Sequence, residues 1–144
     1  MKISIATQVT DELVEAFQRL TPQLSSAAPP DRDALEQIIS APLTSLFIAR
    51  DPARDGLIVG SLTLVVFRIP TGMRAWIEDV VVDEGCRGKG AGALLTRAAL
   101  ERARELGAKT VDLTSRPTRE AANRLYRRVG FELRETNLYR FKLS

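Results

Sequence analysis

The chain has 144 residues, which suffice for one domain with its own hydrophobic core, and its 27% charged and 44% hydrophobic residues are typical of a globular protein. It has no histidine and a single cysteine, Cys86, which excludes catalysis by Ser-His-Asp or Cys-His groups, excludes a disulfide within the chain and disfavours a metal site. The net charge of +3 suits a polyanionic small molecule as well as a nucleic acid.

The first part of the chain predicts a strand, two helices and then three strands. Thr10 can cap the first helix, in which Leu13, Ala16 and Leu20 recur at helical spacing. A loop rich in proline and serine, Ser25–Pro30, separates the two helices. The predicted strands are Lys2–Ala6, 46–50, 57–68 and 74–83, and the predicted helices are 11–24 and 31–40.

The second part predicts helices that alternate with strands. A helix over residues 89–107 ends at Gly107, and another over 119–129 ends at Gly130. The predicted strands are 109–113, 131–135 and 138–143. The order β-α-α-β-β-β-α-β-α-β-β indicates an α+β fold with a mixed sheet, and we expect one domain over residues 1–144.

The segment between the fourth strand and the next helix, Ile77–Leu95, reads IEDVVVDEGCRGKGAGALL. Glycines before a helix N-terminus allow a phosphate to approach unpaired N–H groups. A purely structural turn is one alternative. Another is a dinucleotide fold, because Gly88, Gly90 and Ala93 satisfy G-x-G-x-x-A and Asp112 follows about 20 residues later. That fingerprint expects its glycine directly after a strand near the start of parallel βαβ units, whereas four strands come first here.

The same segment resembles the acetyl-coenzyme A loop of the GCN5-related N-acetyltransferase (GNAT) superfamily. The pattern Arg/Gln-x-x-Gly-x-Gly/Ala is matched by Arg87, Gly90 and Gly92, and the valine strand is followed directly by Asp83. Downstream, AANRLYRRVGFE resembles the family's second motif, a helix that carries a tyrosine before a Gly-Phe turn. The resemblance extends from Leu46 to the C-terminus and implies an acyl-CoA N-acyltransferase fold.

The resemblance implies a binding site for acetyl-CoA. The extended pantetheine arm would pair with the valine strand, and the pyrophosphate would lie on the backbone of the glycine loop. Asn123 is a further candidate contact, although relatives often carry the asparagine seven residues before the tyrosine, where this chain has Arg119. The implied cofactor-binding residues are Val80, Val81, Val82, Arg87, Gly88, Lys89, Gly90, Ala91, Gly92, Ala93, Asn123 and Tyr126.

Three side chains are candidates for the chemistry. The resemblance implies Tyr126 as the acid that protonates the departing thiolate, and a phenol stays protonated at neutral pH. Glu78 and Asp79 are candidate bases for the amine. Because successive strand residues point to opposite faces, we expect only one of the two to face the cleft, and we favour Glu78. Cys86 is disfavoured as a nucleophile because no histidine can activate it.

The implied reaction moves an acetyl group from acetyl-CoA to a primary amine, on a small molecule or a protein, by direct attack in a ternary complex. The alternatives are a non-catalytic acyl-CoA sensor and an NAD-dependent oxidoreductase. No metal or nucleic-acid partner is expected, and dimers are frequent in the family. Because no apolar run approaches roughly 18 residues and no signal-peptide segment is present, we expect a cytoplasmic protein without a membrane span.

Overall fold

The computed structural model describes all 144 residues and divides the chain into two compact units, Met1–Thr114 and Ser115–Ser144. The first unit holds a five-stranded sheet and three helices. The second unit holds one helix and an extended segment, residues 131–144, which we call the C-terminal arm. The strands are β1 (Lys2–Ile5), β2 (Thr44–Asp51), β3 (Leu57–Ile69), β4 (Gly72–Val82) and β5 (Val111–Asp112); the helices are α1 (Asp11–Leu24), α2 (Arg32–Ser40), α3 (Ala91–Glu105) and α4 (Glu120–Val129).

The sheet has the strand order β1-β2-β3-β4-β5. The first four strands pair antiparallel; α1 and α2 connect β1 to β2, and short turns connect β2 to β3 and β3 to β4. β5 returns through α3 to pair parallel with β4. A single parallel pair at the edge of an antiparallel sheet is not the run of parallel βαβ units that a dinucleotide fold requires. The strand directions therefore contradict the dinucleotide alternative.

Local signals in the sequence explain where the helices begin and end. The Thr10 hydroxyl accepts a hydrogen bond from the Leu13 N–H at 3.1 Å, and the Asp31 carboxylate accepts one from the Ala34 N–H at 2.8 Å, so both side chains satisfy N–H groups of a first turn. Beyond α3, Gly107 adopts a left-handed φ of +84°, which ends the helix. None of the four helices is long and apolar enough to cross a membrane.

Helices cover both faces of the sheet in the first unit. On one face α1 and α2 contribute Leu13, Leu20 and Leu35 to an apolar cluster, which also contains alternate residues of β2. On the other face α3 packs so closely that a Cβ at Gly60 would lie 3.3 Å from the Leu95 side chain. The sheet is therefore buried between two layers, and β4 and the N-terminus of α3 are held rigidly beside each other.

The predicted α+β class with a mixed sheet is confirmed, as is the element order up to α4. The last two predicted strands are wrong, because residues 131–144 form no strand. Alternating apolar residues favour a strand, but a strand forms only beside a neighbour that accepts its ladder of hydrogen bonds. Similarly, β5 has two paired residues rather than the five predicted.

Candidate active site

A bulge interrupts β4 in the middle of the sequence motif. Asp79 and Val80 together lie opposite the single residue Leu62 of β3. Asp79 adopts a φ of +48°, which residues other than glycine rarely do and which costs about 1–3 kcal/mol. Bulges and strained backbone concentrate at functional sites because they redirect side chains and free backbone groups from the ladder. The bulge therefore marks this part of β4 as a candidate site.

The bulge also changes where the two acidic residues point. Burial alternates along β4 from Arg74 to the buried Ile77, and then Glu78 and Asp79 are both exposed. The expectation that only one of them faces the cleft assumed unbroken alternation, and the extra residue breaks the period of two. Both carboxylates are exposed, and which of them faces the cleft stays a prediction, with Glu78 preferred.

Beyond its first half, β4 has a free edge on the side of β5. The parallel ladder with β5 includes only Ala75 and Trp76 of β4. From Ile77 to Val82 the strand has no neighbour on that side, whereas on the other side it follows β3 to the end, where the Asp83 N–H donates to the Val59 carbonyl at 2.7 Å. An extended ligand can pair with such an edge as an added strand. This is the segment to which the sequence assigns the pantetheine arm.

The loop after β4 begins with a segment that side chains of α1 hold in place. Asp83 caps the turn by accepting from the Gly85 N–H at 3.0 Å, and Arg19 of α1 lies 3.6 Å from its carboxylate. One helical turn later, the Gln23 side chain accepts from the Glu84 N–H at 2.8 Å. The start of the loop is therefore fixed to a helix that precedes it by about 60 residues.

The turn after β2 holds the next part of the loop through Cys86. The thiol is fully buried; Arg54 lies 2.9 Å from its sulfur, and the Asp51 carboxylate lies 3.8 Å from it. The Asp51 carboxylate is itself 6% exposed and lies 3.6 Å from the Lys89 ammonium. A buried carboxylate with cationic and thiol neighbours is costly to disturb, so these contacts fix the position of the loop. They also give Cys86 a structural role.

After Cys86 the loop is exposed and contains two left-handed glycines. Gly88 and Gly90 have φ of +82° and +84°, and a Cβ at either position would meet no atom within 4 Å. Because Gly90 is left-handed, α3 begins at Ala91 and not at Lys89, where the sequence predicted its start. The N–H groups of Ala91–Ala93 have no acceptor within the helix, no side chain caps them, and no acidic residue occupies the first turn.

This arrangement has the charge and geometry of an anion site. The positive end of the α3 dipole and three unpaired N–H groups lie at the open side of the loop, and the exposed cationic residues Arg87 and Lys89 precede them directly in the chain. The valines assigned to the pantetheine arm lie directly before the loop between β4 and α3. The residues assigned to the phosphates form the second half of that loop and the start of α3. The first unit therefore brings together all the predicted cofactor residues from Val80 to Ala93.

The remaining two candidates, Asn123 and Tyr126, lie on α4 in the second unit. Tyr126 is buried, and its ring meets that of Phe131 edge-on with centroids 5.8 Å apart. Burial raises the pKa of the Tyr126 phenol above its ordinary value, against a smaller opposite effect of the Arg119 charge. A phenol with a raised pKa keeps its proton at neutral pH and can still donate it to a strong base.

Asn123 has a structural function that the sequence did not indicate. Its amide donates hydrogen bonds to the carbonyl oxygens of Arg116 and Arg119, both at 2.9 Å. These bonds tie the loop before α4 to the first turn of the helix. Only the amide oxygen is left for a ligand, and contact of Asn123 with the cofactor stays a prediction.

Four residues that shape the loop were missed from the sequence: Arg19, Gln23, Asp51 and Arg54. They belong to α1 and to the turn after β2, at least 32 positions away from their partners. No local pattern identifies such partners, because only the folded sheet brings the segments together. A charged residue before a proline, as in Asp51-Pro52, predicts no more than a turn.

Comparison with protein families places these features in context. The model of the acetyltransferase (GNAT) family matches residues 8–131, which include the bulge, the glycine loop and α4. This match confirms the resemblance inferred from the sequence. No curated protein sequence matches the chain significantly. No group of three or more Cys, Asp and Glu side chains that could hold a metal ion occurs in the structure.

Solved structures share the fold over nearly the whole chain. An acetyltransferase from Trypanosoma brucei is 26% identical with a TM-score of 0.77, and 99% of each chain is covered. Glucosamine-6-phosphate N-acetyltransferase from Arabidopsis thaliana is 18% identical with a TM-score of 0.80, covering 98% of this chain and 99% of its own. AAC(6')-Iy, in complex with the bisubstrate analogue CoA-S-monomethyl-acetylneamine, is 20% identical with a TM-score of 0.77, and both chains are covered completely.

Proposed function

The chain belongs to the acetyltransferase (GNAT) family, and we propose that it transfers the acetyl group of acetyl-CoA to a primary amine by direct attack in a ternary complex. The observation that carries the proposal is the free edge of β4 from Ile77 to Val82, which continues directly into the glycine loop and the uncapped N-terminus of α3. A ligand with an extended amide-containing arm and a pyrophosphate would use both features at once. Acetyl-CoA has this form.

In the proposed complex the pantetheine amides pair with Val80 to Val82, as an added strand does. The pyrophosphate accepts hydrogen bonds from the N–H groups between Gly88 and Ala93. Arg87 and Lys89 contribute charge, and Lys89 can leave its exposed pairing with Asp51 because only one end of that pair is buried. We regard residues 1–144 as one catalytic domain that acts in the cytoplasm.

The chemical step forms a bond between the amine nitrogen and the acetyl carbon and breaks the bond from that carbon to sulfur. Glu78 or Asp79 accepts the proton that the amine loses, directly or through water. A backbone N–H freed by the β4 bulge stabilises the negative charge that develops on the acetyl oxygen. Tyr126 donates its proton to the coenzyme A thiolate, and its phenol, whose pKa burial raises, holds that proton at neutral pH.

The names of two structural neighbours support an amine as the acceptor. AAC(6')-Iy was solved with an acetylneamine analogue, and the Arabidopsis enzyme acetylates glucosamine 6-phosphate according to its name. For this chain we propose only that the acceptor carries an amine, and not that it is either of these molecules. The exposed carboxylates of Glu78 and Asp79 favour a cationic amine, because they would attract its protonated form before taking up the proton.

A release assay for free thiol with acetyl-CoA and a library of amines tests the proposal. We expect release with at least one amine, and we expect Tyr126→Phe to lower its turnover tenfold or more, or about 1.4 kcal/mol, while acetyl-CoA binding stays within about twofold. The matched control is Tyr139→Phe, which removes the other tyrosine hydroxyl of the chain from the C-terminal arm.

The outcomes separate this function from the sensor alternative. Thermal stabilisation by acetyl-CoA without thiol release from any amine would favour a non-catalytic acyl-CoA sensor. Equal turnover of Tyr126→Phe and the wild type would contradict the role of the phenol. A protein stabilised by neither acetyl-CoA nor coenzyme A would contradict the proposed function as a whole.

A further inference from the structure

One face of the β3–β4 hairpin in the first unit is only partly covered. Buried residues alternate with half-buried or exposed ones from Leu62 to Phe67 of β3 and from Arg74 to Glu78 of β4. Residues that pair directly across an antiparallel ladder have their side chains on the same face, and the half-buried and exposed residues of the two strands pair with each other. We call them the sheet-face patch; they are Thr63, Val65, Phe67, Arg74, Trp76 and Glu78.

The patch lies beside the apolar cluster of α1 and α2 without being part of it. Thr63 pairs with Leu46, which belongs to that cluster, so the patch and the cluster occupy the same face of the sheet. Val65, Phe67 and Trp76 are half buried, and none of them packs against the cluster. Large apolar side chains that are partly open beside a candidate active site are typical of a surface that binds a ligand.

The position of the patch along β4 relates it to the proposed reaction. Glu78, the preferred base, is the last residue of the patch, and Val80–Val82 are assigned to the pantetheine arm. Because the phosphates are assigned to the loop beyond Val82, the arm would bring the thioester to the other end of this segment, beside Glu78. The body of the acceptor would then extend away from the coenzyme, over Trp76 and Val65.

Two exposed charges give the patch a direction. Trp76 lies between the Glu78 carboxylate and the Arg74 guanidinium, about 7 Å along the strand from each of these residues. Neither charged side chain forms an ion pair within the protein. A protonated amine is attracted to Glu78 and repelled by Arg74, so its ammonium group would lie at the thioester end. An indole ring binds apolar and aromatic groups on its face and also favours a nearby cation.

We propose that the sheet-face patch binds the body of the acceptor, that this body is aromatic, and that Trp76 is the residue that selects it. The proposal rests on the proposed acetyl transfer and narrows its substrate class to arylalkylamines, in which a short alkyl chain joins a primary amine to an aromatic ring. The ring would stack on Trp76 and contact Val65, while the ammonium group reaches the Glu78 carboxylate. An amino sugar fits this surface poorly, because Val65 and Phe67 offer no hydrogen-bond partner to its hydroxyl groups.

Thiol release with three amines tests the proposal. We expect kcat/KM for 2-phenylethylamine to exceed that for ethylamine and that for glucosamine at least about tenfold. Trp76→Ala should lower the ratio of kcat/KM for 2-phenylethylamine to that for ethylamine at least about tenfold, whereas Trp76→Phe should keep it within about threefold. Because both amines are measured on one preparation, this ratio does not depend on the folded fraction of a variant. The control Met73→Ala removes a half-buried apolar side chain from the opposite face of β4 and should leave the ratio unchanged.

Fluorescence tests the same contact without turnover, because Trp76 is the only tryptophan of the chain. Coenzyme A replaces acetyl-CoA in this experiment, so the amine binds without reacting. Titration with 2-phenylethylamine should change the tryptophan emission in a saturable way, whereas ethylamine and glucosamine should leave it unchanged over the same concentrations.

The outcomes separate this proposal from the proposed function. A higher kcat/KM for glucosamine or for a lysine peptide than for 2-phenylethylamine would overturn the arylalkylamine assignment and leave acetyl transfer intact. An unchanged ratio in Trp76→Ala, or acetylation of 2-phenylethylamine without a change in emission, would overturn the role of Trp76. A saturable change in emission without thiol release from any amine would support the patch as a binding surface and contradict acetyl transfer.

Discussion

The loop between β4 and α3 consists of two halves with opposite construction. Residues 83–86, the fastened half, are held by side chains from α1 and from the turn after β2, and they bury Cys86 completely. Residues 87–90, the open half, are exposed, and two left-handed glycines leave space around their backbone. The fastened half fixes where the loop lies, whereas the open half leaves backbone N–H groups unpaired and leaves space for a ligand.

The contrast shows how a flexible sequence can form a defined binding site. Four glycines in eight residues would make an isolated peptide very mobile, and ordering it on binding would reduce affinity. Contacts that fix one end of the loop, and a helix that fixes the other, remove most of this cost before a ligand arrives. We therefore expect substitutions in the open half to affect binding, and substitutions that release the fastened half to affect mainly stability.

The largest effect is expected from Gly90→Val in the open half. A β-branched side chain would occupy the space proposed for a phosphate, and we expect acetyl-CoA affinity to fall at least a hundredfold, about 2.7 kcal/mol, in calorimetric titration. Gly107→Val is the matched control, because Gly107 has the same φ of +84° and equally open surroundings. Left-handed strain of about 1–2 kcal/mol is then common to both variants. Equal affinities in the two variants would contradict the phosphate assignment.

Asp51→Asn removes the buried carboxylate that anchors the fastened half. We expect the free energy of unfolding to fall by about 1–3 kcal/mol in urea titration, because Cys86 and Lys89 lose a common partner. Affinity for acetyl-CoA should change less than tenfold. Asp55→Asn, an exposed carboxylate in the same turn, should leave stability within about 0.5 kcal/mol. If Asp51→Asn abolishes acetyl-CoA binding without lowering the free energy of unfolding, the fastened half does not act mainly on stability.

Lys89→Ala tests the residue that links the two halves. Loss of one exposed cation beside the proposed phosphates should weaken acetyl-CoA binding about threefold to tenfold at low salt, and less at high salt because ions screen the interaction. Lys109→Ala, at the turn beside Gly72, removes the same charge at a distance and should have no measurable effect. A loss in the Lys89 variant that does not depend on salt would mean that the lysine acts by packing.

The smallest effect is expected from Glu12→Gln, which measures how much a charge pair outside the loop contributes to stability. Arg50 donates two hydrogen bonds to the Glu12 carboxylate, at 2.7 and 2.8 Å, and this lowers the pKa of Glu12 below its ordinary value. A lowered folded pKa stabilises the protein above the unfolded pKa, and this contribution is lost as the pH falls through the folded pKa. Since half of the carboxylate side chain is exposed, we expect at most about 1 kcal/mol at pH 7 and none near pH 2. A difference between variant and wild type that is the same at both pH values would contradict this account.

Much of the fold was readable in the sequence because its signals are local. The Thr10 cap and the Gly107 terminus are decided by neighbours within one helical turn, and the glycine motif lies within a single segment. The same reasoning explains the errors. The arm has the composition of a strand but forms none, and the bulge at Asp79 arises from register with β3, which no local pattern reveals.

The sequence by itself determined the α+β class, the family and the positions of the glycine loop and Tyr126, since each depends on residue type and spacing along a short segment. Only the tertiary structure showed that both Glu78 and Asp79 are exposed, that β4 has a free edge and that Asp51 and Arg54 hold the loop. These features depend on which distant segments meet in the sheet. They are stabilised by burial and by contacts between side chains more than 30 positions apart in the chain. A local sequence pattern does not show which distant residues meet.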